Sequence, residues 1–223
     1  MSVNRTIKSY VLRQGRMTPS QQRAFTENWP RFGLALPNEV APLDWPEVFN
    51  RQAPLVLEIG FGMGEALLAA AKAHPENNYI GVEVHPPGVG RVLNQAANHE
   101  LTQLRIFQND VHLVLARAVA PNSLDKVQIY FPDPWPKKRH HKRRLIQPEF
   151  IALVAERLKP KGILHLATDW PAYALHMQST IEENTDLQPV TEPLLAQRFT
   201  TRFEHRGKQL GHPIDDLVFE KVS

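Results

Sequence analysis

A chain of 223 residues, 42 % hydrophobic and 22 % charged, is long enough to bury a sizeable core. The absence of cysteine excludes disulfides, cysteine-ligated zinc or iron–sulfur centres and thiol nucleophiles. The formal charge of +3 points to no particular partner until it is read by position.

Within residues 1–31, Arg5, Lys8, Arg13, Arg16, Arg23 and Arg31 are offset by one acid, Glu27. The run KKRHHKRR (137–144) holds six Lys/Arg and no acid. What remains is an acidic body carrying two basic segments, a pattern that suits a nucleic-acid partner. The start, MSVNRTIKSYVLRQG, lacks the apolar core of a secretory signal, although an Arg-rich start also fits a transit peptide. No run approaches the roughly 18 apolar residues of a spanning helix, so a cytoplasmic protein without a membrane partner is expected.

Taken in chain order, residues 1–54 carry Pro19, Pro30, Pro37, Pro42, Pro46 and Pro54 and read as a basic arm with short helices. From Leu55 onward, through residue 223, the pattern is that of one α/β domain. LVLEI (55–59) is a buried strand and GEALLAAAKAH (64–74) a helix of strong helix formers. YIGVEV (79–84) is a strand, 88–100 a helix, LRIFQ (104–108) a strand, and 111–118 a helix. KVQIYF (126–131) is the fourth strand, followed by a helix over 147–158 and the strand GILHLATD (162–169). A helix over 172–184 follows, and DLVFEKV (216–222) alternates like a closing antiparallel edge strand. Such alternation predicts a doubly wound, mostly parallel sheet with ligands beyond the carboxyl ends of its strands.

Those strand ends carry the chemistry. The first runs into Glu58-Ile59-Gly60-Phe61-Gly62-Met63-Gly64-Glu65. Glycines there let backbone approach a ligand, as they would also serve a plain β–α turn. The third glycine comes one residue earlier than in a dinucleotide fingerprint, and Glu58 and Glu65 disfavour a pyrophosphate while suiting a cationic ligand. Glu83, 25 residues after Glu58, ends the second strand and can accept from ribose hydroxyls. Asn109-Asp110 end the third, where a carboxylate can accept from an adenine amino group. After the fourth strand, three prolines in Pro132-Asp133-Pro134-Trp135-Pro136 stiffen a loop that presents Asp133, with the basic run next. Asp169 ends the fifth. The ten histidines are scattered, and no metal site is expected.

The glycine turn with Glu83 and Asp110 resembles the S-adenosylmethionine site of class I methyltransferases. RQGRMTPSQQRA (13–24), EIGFGMGE (58–65), FPDPWPKKRHHKRRL (131–145), ATDW (167–170) and TTRFEHRG (200–207) resemble the bacterial tRNA (guanine-N7)-methyltransferase family, in order over nearly the whole chain. The resemblance implies methyl transfer from S-adenosylmethionine to N7 of a guanosine at variable-loop position 46 of tRNA, within a methyltransferase domain over 55–223. It implies cofactor contacts by Glu58, Gly60, Gly62, Glu83, Asn109, Asp110 and Asp133, with Asp133 catalytic. Lys137, Asp169, Thr201, Arg202, Phe203 and Glu204 match the family's substrate contacts. Arg139, His140, His141, Lys142, Arg143 and Arg144 match its RNA-contacting run. A monomer or weak homodimer is expected. The stretch between His212 and Asp216 is less typical of the family.

Guanine N7 has a free lone pair and no proton, so the reaction needs positioning rather than a general base. An exocyclic-amino methyltransferase is the nearest alternative, but its loop carries a second proline where Trp135 stands. A non-catalytic RNA-binding module and a nicotinamide dehydrogenase are the others; the acids at every strand end disfavour the first and the glycine spacing the second.

Overall fold

The computed structural model describes residues 8–10, 16–190 and 198–222, without the side chains of Arg202 and Lys208. Arg5, Arg13 and the Arg202 side chain therefore lie outside the described residues.

Five parallel strands are β1 (Leu55–Ile59), β2 (Asn78–Val82), β3 (Leu104–Phe107), β4 (Leu124–Tyr130) and β5 (Leu158–Thr168). With β6 (Leu187–Pro189) and β7 (Asp215–Lys221) they form one sheet, in the order β3-β2-β1-β4-β5-β7-β6. All five residues of β1 and of β2 are buried, which is why both read as mostly apolar runs without strict alternation. The order reverses at β1, whose neighbours are β2 and β4. The fold therefore opens its ligand crevice beyond the carboxyl ends of β1 and β4. The antiparallel strand read from the sequence, β7, lies one place inside the edge, between β5 and the three-residue β6.

Helices cover both faces. On one, α4 (Glu65–Ala73) and α5 (Pro86–Asn98) pack with α1 (Pro19–Glu27) over a core containing Leu67, Val89, Leu93 and Ile106. On the other, α6 (Val111–Arg117), α7 (Pro148–Arg157) and α8 (Pro171–Glu182) pack over Leu57, Val127, Leu164 and Tyr173.

Residues 16–54 supply α1, α2 (Trp29–Phe32) and α3 (Trp45–Phe49). Thr18 and Gln21 form a reciprocal cap on α1, with Pro19 at its first position. The missing side chain of Gly90 lets α1 close on α5, since a Cβ there would come 2.8 Å from the Gln21 carbonyl oxygen. Gly33 then makes a parallel bridge to Ile106, and Trp45 and Phe49 enter the main core.

Candidate functional site

Two adjoining cavities lie at the switch point. One, of about 210 Å³, is lined by Gly60, Gly62, Glu83, Asn109, Asp110 and Asp133, among others. The second, of about 540 Å³, shares Tyr10, Gly62, Glu83, Asp133 and Phe203 with it and continues along Pro134, Trp135 and Pro136.

The turn after β1 needs its glycines. Gly60, Gly62 and Gly64 have φ of 71°, 56° and 78°, a region side chains resist. A Cβ on Gly60 would meet nothing within 4 Å, so its backbone faces open space. Glu83 ties this turn to the end of β2: one carboxylate oxygen accepts from Gly62 N–H at 2.8 Å, the other from Val84 and His85 N–H at 2.6 and 3.0 Å. Asp110 caps α6, accepting from His112 N–H at 3.0 Å. Burial alone would raise its pKa, but the His112 imidazole and N–H and the Tyr10 hydroxyl hold it below the usual carboxylate value.

Glu58 behaves differently. It is 3 % exposed, lines neither cavity, and its Oε2 has no hydrogen-bond partner among the described residues. Burial, then the charges of Glu65 and Glu83, push its pKa up to about 8. Burial beneath the turn thus favours its neutral acid over the carboxylate that a cationic ligand would attract.

The loop after β4 holds two non-glycine residues in the left-handed region, Phe131 (φ 52°) and Trp135 (φ 43°), which bracket Asp133. Such conformations persist only where surroundings over-determine them. Here Phe131 N–H donates to Ala167 at 2.7 Å, Arg144 Nε to the Pro134 carbonyl at 2.9 Å, and Trp135 Nε1 to the Ser9 carbonyl at 3.0 Å.

The basic run forms a 3-10 helix over Lys138–Arg143 and divides by role. Lys137, Lys138, Arg139 and Lys142 are exposed. His140 sets its ring edge against Trp135, and His141 lies 3.2 Å from the Arg144 guanidinium. Arg143 stacks over Trp135 at 4.2 Å. Arg144, 4 % exposed, lies over the Tyr173 ring at 4.8 Å. The Arg144 side chain therefore braces the loop from inside.

The remaining site residues come together around α9 (Arg202–Gln209). Thr201 Oγ1 accepts from Glu204 N–H at 3.1 Å. Phe203, 57 % exposed, stacks on Phe131 at 6.5 Å and hangs over Gly62. Asp169 sits against Gly207, where a Cβ would come 3.1 Å from its Oδ2, and 3.6 Å from His212. Lys137 is exposed at the start of the basic helix and lines neither cavity.

Glu204 is buried and paired with Arg198, a residue the sequence did not single out. Arg198 also grips Asp216 of β7 at 2.7 Å and faces the Tyr130 and Phe131 rings. Asp216 in turn lies 2.9 Å from His165 Nε2, whose Nδ1 is 3.3 Å from the Tyr130 hydroxyl. Burial holds the His165 pKa down. A neutral ring that donates to Asp216 and accepts from Tyr130 satisfies every member. The signal was present in GILHLATD: a histidine inside an apolar strand demands partners.

A largely parallel sheet of this order, with a glycine turn after β1 and acids closing the first three strands, defines a class I methyltransferase. Residues 52–217 match the family described as "Putative methyltransferase". A tRNA (guanine-N(7)-)-methyltransferase of Pseudomonas savastanoi pv. phaseolicola is 50 % identical, over 98 % of this chain and 91 % of its own. That of Nitrosomonas europaea is 47 % identical over 100 % of both. Among solved structures, the 16S rRNA (adenine(1408)-N(1))-methyltransferase from Catenulisporales acidiphilia, with its cosubstrate SAM, is similar in fold alone, with a TM-score of 0.53 and 14 % identity. It covers 85 % of this chain and 96 % of that one. The chain belongs to the tRNA (guanine-N(7)-)-methyltransferase family.

Proposed function

We propose that the protein methylates N7 of a guanosine in tRNA, at variable-loop position 46, using S-adenosylmethionine. The observation that carries this reading is the place of Asp133: it stands on the wall common to both cavities, beside the glycine turn and just ahead of four exposed cations.

The first cavity suits the cofactor. Gly60 offers open backbone, Glu83 stands where ribose hydroxyls would be held, and Asn109 and Asp110 bound the adenine side. Glu58 supports the turn from below. When bound, S-adenosylmethionine supplies an electrophilic methyl group on a sulfonium centre. Asp133 faces the second cavity, where its carboxylate stabilises positive charge as it develops on the purine ring, a contact stronger in the transition state than before it. Phe203, on the wall of both cavities, offers the base a ring to stack on, and Thr201, Glu204 and Asp169 hold in place the helix that carries it, with Arg202 taken as a substrate contact from the family resemblance. Lys137, Lys138, Arg139 and Lys142 hold backbone phosphates, which positions the RNA without reading its sequence.

Among the described residues no helix is long and apolar enough to cross a membrane. We place the enzyme in the cytoplasm with its tRNA, as a monomer or weak homodimer, the helices α1–α3 of its N-terminal segment packed onto the catalytic domain of residues 55–223. The test is transfer of labelled methyl from S-adenosylmethionine to unmodified tRNA, followed by strand cleavage selective for 7-methylguanosine. A labelled product that resists this cleavage would overturn the reading.

A further inference from the structure

Arg143 belongs by sequence to a run of six cations, yet its contacts are to protein. Its guanidinium lies 4.2 Å from the Trp135 ring centroid. Its nitrogens point to the main-chain carbonyls of Lys8 and Tyr10 at 3.4 and 3.5 Å. Trp135 holds the same short segment through Nε1 and the Ser9 carbonyl, at 3.0 Å. The segment so held reaches the ligand crevice: Ser9 and Tyr10 line the first cavity beside Asn109, Asp110 and Val111, and Tyr10 also lines the second. Tyr10 and Asp110 both line the first cavity, and the Tyr10 hydroxyl helps hold the Asp110 carboxyl below its usual pKa.

We propose that Tyr10 is a cofactor-site residue closing the adenine side of the crevice, and that Trp135 and Arg143 are positioning residues that seat it there. Trp135 ends the strained stretch that presents Asp133, so one clasp fixes both the acid of the reaction and the cover over the cofactor. The inference rests on the cofactor assignment made above. An aromatic side chain against a purine is a general device for holding a base. A planar guanidinium suits the Trp135 face and two carbonyls together, which an ammonium cannot reproduce.

The test is calorimetric titration of the full chain with S-adenosylmethionine in the absence of RNA. Tyr10→Ala is expected to weaken binding by about tenfold, and Arg143→Ala by a similar factor. The double variant should be no weaker than either alone, because Arg143 acts through Tyr10. Arg143→Lys separates this role from phosphate contact: it keeps the charge, so the salt dependence of tRNA binding stays while cofactor affinity falls. Wild-type cofactor affinity in Tyr10→Ala, or in Arg143→Lys with a reduced salt slope, would overturn the proposal. So would additive losses in the double variant. A wild-type chain that fails to bind S-adenosylmethionine would instead remove the cofactor assignment itself, and this inference with it.

Discussion

The carbonyl oxygen of Gly62 rests against Gly88, so close that a Cβ added at Gly88 would come within 2.0 Å of it. One glycine of the ligand turn is thus seated by another that lies 26 residues later, in the first turn of α5. Helix propensity favours Gly88→Ala by up to about 1 kcal/mol. The clash is with backbone that cannot rotate away, and overpacking of this kind costs about 1–3 kcal/mol. Gly88→Ala is expected to lower the melting temperature and to weaken S-adenosylmethionine binding by about tenfold or more, both read directly by calorimetry. Unchanged cofactor affinity would mean that the turn adapts.

Asp133→Asn keeps the size and most of the hydrogen bonding while removing the charge. If the carboxylate acts on charge developing in the purine, kcat should fall by about 100- to 1,000-fold, with little change in tRNA affinity. Single-turnover methyl transfer is the measurement. A near-normal rate would leave Asp133 only a hydrogen-bonding role.

The division within the basic run gives opposite outcomes for neighbouring residues. Replacing Lys138, Arg139 and Lys142 by Gln should weaken tRNA binding and reduce its log–log salt slope by roughly 0.7–0.9 for each phosphate no longer neutralised, while the melting temperature stays put. Arg144→Gln removes a buried donor from Pro134 and is expected to cost about 1–3 kcal/mol of stability. Salt titrations of tRNA binding, set beside thermal melts, distinguish the two sets.

Glu58 makes stability depend on pH. Its pKa rises from 4.5 to about 8 on folding, so the native state holds a proton that the unfolded chain releases first. The group's contribution is fully present below about pH 4.5 and is lost as pH climbs toward 8, at up to about 1.4 kcal/mol per pH unit. Glu58→Gln is neutral throughout, and its stability relative to wild type should rise across that window. Denaturant melts at pH 5, 6.5 and 8 would expose a constant difference if the carboxyl were already ionised.

The central strands were legible because burial on both faces writes short, mostly apolar runs, as in LVLEI, where Glu58 is the one exception. β6 was not: Leu187-Gln188-Pro189 carries one buried residue and finds its place only through β7. The α1 cap is local, made by Thr18 and Gln21, whereas the contact of Gln21 with Gly90 depends on helices brought together by the fold. At the site, the acids at strand ends announced themselves by position. The fate of Arg143 and Arg144 did not, since a cluster of like charges reads as a solvated face until Trp135 and Tyr173 are known to lie beneath it. Arg198 was hidden for a related reason: it joins Asp216 to Glu204, and Glu204 lies in a helix that apolar periodicity does not reveal, its residues being mostly polar.

The insertion of β7 between β5 and β6 sets an order of assembly. As the polypeptide emerges during synthesis, the turn after β1 and the acids at the ends of β2 and β3 are complete well before residue 215 appears. β6 has no partner in the sheet until β7 arrives, and Asp216 is not yet there to hold Arg198 against Glu204. The brace of Arg198 between Glu204 and Asp216 is therefore the last part of the site to close, after the glycine turn and the loop that carries Asp133.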